Sequence, residues 1–222
     1  MKIGCLYIVA TPIGNFQDIT LRAMQVLRDA DAVICEEFRQ GSTLLKKLEI
    51  ASKELLQLNE HNEAEKAPEL LQLLLAGKRL ALVSDCGTPA FADPGTQLVK
   101  MAMEFQVPVV PVPGVSSLMA LISISPLSMD RFYFAGFLPR KTDERQAELK
   151  SLLRMNVPII LMDTPYRLEK LLLEIQHTFG RNRLVTLAMD LTLENEKILH
   201  GSANEVLTQV KNRKSEFMLI VH

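Results

Sequence analysis

The stretch Leu80-Ala81-Leu82-Val83-Ser84-Asp85-Cys86-Gly87-Thr88-Pro89-Ala90-Phe91-Ala92-Asp93-Pro94-Gly95 decides the fold. Its first four residues form an apolar run, the signature of a strand buried on both faces. The twelve residues from Ser84 to Gly95 that follow exceed the roughly 4–6 residues of most connections. They carry two glycines, two prolines and two aspartates. Glycine lets a backbone approach a ligand closely, and proline holds a loop rigid. A helix over Thr96–Phe105 and a strand over Val107–Val112 are predicted next. Strand, loop, helix and strand in that order make a parallel crossover unit.

The same rhythm extends outward. Upstream, strands are predicted at Leu6–Ala10, Ala32–Cys35 and Leu55–Leu58. Asp18 is expected to cap a helix whose residues Ile19, Ala23, Met24, Leu27 and Ala30 share one face. A short helix is expected near Thr43–Leu48, and another over Ala67–Leu75 that Gly77 ends. Downstream, Pro113-Gly114-Val115-Ser116-Ser117 opens a helix that Pro126 breaks. The second half contains strands at Phe132–Ala135, Pro158–Met162, Leu184–Ala188, Lys197–His200 and Phe217–Val221. Its helices are a polar amphipathic one over Asp143–Arg154, one over Arg167–Phe179, and one that Ser202-Ala203-Asn204-Glu205 opens as a capping box and that runs to Lys211. Two nearly consecutive strands imply antiparallel pairing. The expectation is an α/β chain of two domains: residues 1–117 around a mostly parallel sheet and residues 118–222 around a mixed sheet.

Composition narrows the function. Of 222 residues, 48% are hydrophobic and 23% charged, the balance of a chain that buries a core. A net charge of −1 argues against a nucleic-acid coat protein but allows a local basic rim. Arg140-Lys141, Arg181-Asn182-Arg183 and Lys211-Asn212-Arg213-Lys214 are clusters able to track an RNA backbone. Cys5, Cys35 and Cys86 lack paired spacing, so reduced thiols in a cytoplasm are expected. The apolar run of the first ten residues is too short for a signal peptide, and no stretch approaches the ~18 apolar residues of a membrane span. His61, His177, His200 and His222 have no ligand spacing, so no metal is expected. Phosphate-loop, dinucleotide and hydrolase-elbow motifs are all missing from the sequence.

Ligands of open α/β sheets gather beyond the carboxyl ends of strands. Four such ends carry turn-forming or polar clusters: Thr11–Asn15, Asp85–Gly95, Pro113–Ser117 and Asp163–Arg167. Helices that start after these loops are expected to offer free N–H groups to a polar ligand.

At these loops the sequence resembles a known family. The blocks Leu6-Tyr7-Ile8-Val9-Ala10-Thr11-Pro12-Ile13-Gly14-Asn15, Asp18-Ile19-Thr20-Leu21-Arg22-Ala23, Glu60-His61-Asn62, Val83–Pro89, Asp93-Pro94-Gly95, Pro113-Gly114, Asp130-Arg131-Phe132 and Gly136–Lys141 resemble the ribosomal RNA small-subunit ribose methyltransferase I family of the tetrapyrrole-methylase superfamily. The resemblance implies two α/β domains with S-adenosylmethionine in a cleft between them, a homodimer, and methyl transfer to a cytidine ribose 2′-hydroxyl of ribosomal RNA. It also implies that Pro12, Asp85, Gly87, Thr88, Pro89, Phe91, Gly114, Ser116, Ser117, Asp163 and Met189 bind the cofactor. Glu36, Glu37, Arg39, Glu60 and His61 are candidate polar groups for the reaction, with Glu36, Arg39 and His61 foremost; spacing alone identifies no acid–base pair.

The chain departs from the family pattern at several places. Glu36-Glu37-Phe38-Arg39 stands where the family has Glu-Asp-Thr-Arg, and Asp163-Thr164-Pro165-Tyr166-Arg167 where it has Glu-Ser-Pro-His-Arg. Asp190-Leu191-Thr192-Leu193 replaces Glu-Leu-Thr-Lys, Ser215 replaces a glycine, and the sequence stops at His222 without the C-terminal extension of many members. These changes fall on polar groups expected to meet RNA. Alternative readings are therefore a methyltransferase of the same fold acting on a tetrapyrrole-like small molecule or a protein, and a non-catalytic cofactor-binding homologue.

Overall fold

The computed structural model describes residues 3–91 and 93–222; Met1, Lys2 and Ala92 of the long loop lie outside the described residues. Contacts divide the chain into two compact units, Met1–Ser116 and Ser117–His222.

In the first unit, strands β1 (Cys5–Val9), β2 (Ala32–Cys35), β3 (Glu54–Gln57), β4 (Arg79–Val83) and β5 (Val109–Val112) form a parallel sheet in the order β3-β2-β4-β1-β5. Helices cover both faces, so β2 and β4 read as continuous apolar runs. On one face α1 (Leu21–Asp29) and α2 (Phe38–Lys47) bury Ala23, Leu27, Leu44 and Leu45 against Val9, Val33 and Val83. On the other, α3 (Glu63–Leu75) and α4 (Thr96–Glu104) bury Leu70, Leu74, Leu98 and Ala102 against Leu6, Ile34 and Leu82. β5 is an edge strand, which is why it tolerates Pro111, a residue with no N–H to give a ladder.

Several boundaries differ from expectation. Asp18 ends a 3-10 turn at Phe16–Asp18, and the cap of α1 is Thr20, whose hydroxyl accepts from the Ala23 N–H at 3.1 Å. Helix α2 begins at Phe38, five residues before the expected start. Helix α3 begins at Glu63 and carries Pro68 inside it. A local knot starts it early: the Asn59 side chain accepts from the His61 and Asn62 N–H groups while the Asn62 side chain accepts from the Asn59 N–H.

The second unit holds a mixed sheet in the order β6-β7-β10-β8-β9, from β6 (Tyr133–Gly136), β7 (Ile159–Asp163), β8 (Leu184–Met189), β9 (Lys197–Ser202) and β10 (Phe217–Val221). Only β6 and β7 pair in parallel; the other three pairs are antiparallel. Helix α5 (Ser117–Ser123) packs Leu121 on the face of Ile160, Ala188 and Ile220. Helices α6 (Thr142–Leu152), α7 (Leu168–Phe179) and α8 (Ala203–Gln209) cover the other face, and both halves of the Ser202–Glu205 capping box are formed. Helix α6 lacks the expected apolar stripe. One of its three buried positions is Arg145, beside Leu149 and Leu152. No helix among the described residues is long and apolar enough to cross a membrane.

Candidate functional site

Strand order creates the site. β1 and β4 are neighbours, yet the chain leaves β1 toward β2 on the α1 face and leaves β4 toward β5 on the α4 face. Connections that diverge in this way open a crevice at the carboxyl ends of the two strands. A cavity of about 150 Å³ lies there, lined by Thr11–Gly14 after β1, by Gln40, Gly41 and Thr43 of α2, and by Ser84–Cys86 after β4. It is smaller than the roughly 300–1,000 Å³ of a whole ligand pocket.

The strand-end loops are bonded into one bed. The Thr11 N–H donates to the Gly87 carbonyl at 2.8 Å, and the Gly87 N–H returns to the Thr11 carbonyl at 3.2 Å. The buried Thr11 hydroxyl donates to the Ser84 carbonyl at 3.1 Å. Gly87 has φ +79, and a Cβ there would stand 3.3 Å from the Ile13 side chain, so only glycine makes this turn without strain. The third loop presses closer still. A Cβ on Gly114 would meet that of Ala10 at 3.0 Å, and the Thr88 hydroxyl donates to the Val115 carbonyl at 3.3 Å.

The electrostatics are one-signed. Among the described residues no lysine or arginine lines the cavity, whereas Glu36, Glu37, Glu60, Asp85 and Asp93 act on one another. Partial burial raises the Glu36 carboxyl above its ordinary range, and the Asp85 and Asp93 charges add to this. Asp85 is raised by burial and then by Glu37 and Asp93, against a lowering hydrogen bond from the Glu37 backbone. Burial, with Asp85 and Glu37 beside it, pushes the Cys35 thiol up to about 11, which makes it inert as a nucleophile.

The expected site residues fall into distinct places. Pro12 and Asp85 line the cavity, Gly87 and Thr88 join the loops, Pro89 is buried, and Phe91 is half-exposed. Gly114 and Ser116 end the first unit, and Ser117 begins α5. Glu36 is half-buried just past β2. Arg39 is exposed on α2, and the His61 imidazole stands in solvent 3.5 Å from Glu60. The expectation of free N–H groups fails at α4. Its Gly95 and Gln97 N–H groups both donate to Glu63 Oε1 at 2.9 Å, so a carboxylate of the chain already fills the place of an anionic ligand.

In the second unit Asp163 ends β7 with its carboxylate buried. Oδ1 accepts from Arg167 Nε at 2.7 Å and from the Thr164 N–H at 2.6 Å, while Oδ2 has no partner. A buried acceptor without a donor is costly. The Met189 side chain belongs to the core, and the residue ends β8 between Phe217 of β10 and Lys197 of β9. Asp190 accepts from Asn195 Nδ2 at 2.7 Å and pairs with Arg213 at 3.2 Å. Arg213 Nε also donates to the Ser215 hydroxyl at 2.8 Å, a bond that glycine at this position would lack.

Sequence reasoning missed Thr11 as the joint of two loops, Glu63 as the cap of a distant helix, and Arg145 as a buried cation. Only Glu63 left a trace, as an acid at a helix start; its partner is distant in sequence.

Comparison with known proteins places the chain. The model of the Tetrapyrrole (Corrin/Porphyrin) Methylases matches residues 5–207. The ribosomal RNA small subunit methyltransferase I of Xylella fastidiosa is 40% identical over 222 residues, 98% of this chain and 81% of that protein. The protein of the same name from Synechocystis is 38% identical over 221 residues, 99% of this chain and 79% of its own length. Among solved structures, uroporphyrin-III C-methyl transferase from Thermus thermophilus complexed with S-adenyl homocysteine superposes with TM-score 0.66 at 22% identity, over 99% of this chain and 98% of that one. A conserved hypothetical protein from Aeropyrum pernix K1 gives TM-score 0.75 at 20% identity, over 99% and 84%.

Proposed function

The chain belongs to the tetrapyrrole methylases and, among them, to the ribosomal RNA small subunit methyltransferase I family, and from that premise we propose that it transfers a methyl group from S-adenosylmethionine to a ribose 2′-hydroxyl of small-subunit ribosomal RNA. The observation that carries the proposal is the similarity to enzymes of that name over 98–99% of the chain. The residues fit such a cofactor. Its sulfonium and ammonium are cationic, and the crevice offers carboxylates and carbonyls with no opposing lysine or arginine. In the first unit Pro12, Asp85, Gly87, Thr88, Pro89, Phe91, Gly114 and Ser116 would hold the cofactor, several of them through backbone groups.

The bound cofactor supplies an electrophilic methyl group, and the protein supplies alignment and a proton acceptor. Of the three foremost catalytic candidates, Glu36 suits proton transfer best, because partial burial, and then the carboxylates around it, raise its proton affinity. His61 and Arg39 are solvent-exposed. A ribosomal substrate would be met in the cytoplasm. Sedimentation measures directly the homodimer that the family resemblance implies. The test of function is labelled cofactor with undermodified small ribosomal subunits. Label in a ribose supports the proposal, and label confined to protein or small molecules overturns it.

A further inference from the structure

One end of the second sheet gathers aromatic rings and cations that the cofactor does not use. β6 and β7 run parallel, and β10 opposes β7 so that Phe217 faces Asp163. The loop after β6, the turn after β7 and the approach to β10 therefore meet at the same end. Phe137 is 51% exposed there and Tyr166 79%. The Lys214 ammonium lies 5.0 Å from the centre of the Tyr166 ring. Lys170 Nζ donates to the Thr142 hydroxyl at 3.1 Å, next to Arg140 and Lys141.

The frame beneath these side chains is rigid. Arg167 donates to the Leu138 and Pro139 carbonyls at 3.1 and 3.2 Å, and Arg145 donates to the Pro139 and Arg140 carbonyls at 3.0 and 2.8 Å. Asp163 and Glu174 anchor the two guanidiniums. With three successive carbonyls held inward, the loop presents Phe137, Arg140 and Lys141 to solvent. Of the neighbouring acids, Glu144 pairs with Lys141 at 2.8 Å and Glu169 accepts from the Asn212 N–H at 3.2 Å, while Asp143 and Glu216 are exposed. No ion pair among the described residues involves Arg140, Lys170 or Lys214.

We propose that this rim is a platform for single-stranded RNA, on which Phe137 and Tyr166 stack unpaired bases while Arg140, Lys141, Lys170 and Lys214 neutralise phosphates. It rests on the reading of ribosomal RNA as substrate and names where the RNA lies. Rings interleaved with cations on a preorganised loop are what single-strand recognition needs, because unpaired bases have faces free to stack and duplex bases do not. Tyr166, a departure from the family's histidine, enlarges the stacking surface.

The sequence contains no tryptophan, so Tyr166→Trp is a single-tryptophan reporter. Titration with an unstructured pyrimidine oligoribonucleotide of about ten residues should quench its emission. Phe137→Ala and Tyr166→Ala should each weaken the oligonucleotide roughly 5- to 100-fold, with S-adenosylhomocysteine affinity unchanged. Lys214→Gln should lower the slope of log affinity against log salt by about 0.7. Binding without quenching, or alanine variants that bind like the parent, overturns the platform. If the parent labels ribosomal subunits and both alanine variants keep its KM, the platform alone falls. If the parent neither binds the oligonucleotide nor labels subunits, the substrate reading falls and takes the platform with it.

Discussion

Replacing Glu174 by alanine tests whether the second unit depends on its buried ion pair. Glu174 meets Arg145 in two parallel bonds of 2.6 and 2.7 Å, with both side chains almost fully withdrawn from solvent. The other three guanidinium protons go to the Pro139 and Arg140 carbonyls and to the Thr142 hydroxyl, so all five are used. Glu174 is the first cause that holds Arg145 charged. Two charge-assisted bonds at roughly 1.5–3 kcal/mol each agree with the roughly 3–5 kcal/mol lost when a buried pair is broken from one side. Against a domain stability of roughly 5–15 kcal/mol, Glu174→Ala removes about a fifth or more. With a urea slope of roughly 1–3 kcal/mol/M, the unfolding midpoint should fall by roughly 1–5 M. Arg145→Met with Glu174→Leu should cost less than the two single losses together, since no charge is stranded. A loss under about 1 kcal/mol for Glu174→Ala at unchanged slope would refute the reasoning, because that is the range of a hydrated surface pair.

Gly87→Ala should cost about 1 kcal/mol from its positive φ and weaken S-adenosylhomocysteine severalfold by calorimetry, because the new methyl group pushes the Ile13 loop. Glu63→Ala should destabilise by about 0.5–2 kcal/mol through the uncapped α4, whereas Glu63→Gln, which keeps an oxygen acceptor, should recover part of the loss in the same melts. Burial first, then His200 and Arg183, lower His222 below its ordinary 6.5. The stability it contributes is therefore complete above pH 6.5 and lost as pH falls from there through the folded value. Denaturation curves across that window should show the loss, and His222→Gln should flatten it.

Elements were legible in the sequence wherever periodicity and burial agreed. Ala32–Cys35 and Phe217–Val221 stand as read because every residue in them is buried. Boundaries failed where a side chain two or three residues away redirected the backbone, as Thr20 does for α1 and the Asn59–Asn62 knot does for α3. The strand-end loops were visible as glycine and proline clusters, but their union through Thr11 was not, since it joins residues 73 positions apart. A buried Arg145 also defeats a pattern reading, because arginine in a helix signals a solvent face until Glu174 is brought to it.

The departures from the family pattern become coherent once their contacts are known. Leu193 removes a cation near Asp190, yet Arg213 reaches Asp190 from the far side of the chain and is oriented there by Ser215, itself a departure. Tyr166 gives up an imidazole and takes the Lys214 ammonium against its ring. In both cases a cation from the segment before β10 occupies the neighbourhood of the altered residue. The net effect is a rim that keeps positive charge and gains a flat apolar face, a change suited to stacking bases. The bed of strand-end loops joined by Thr11, Gly87 and Gly114 involves none of these residues and lies in the first unit alone. Substrate contacts can therefore diverge in the second unit without disturbing that bed.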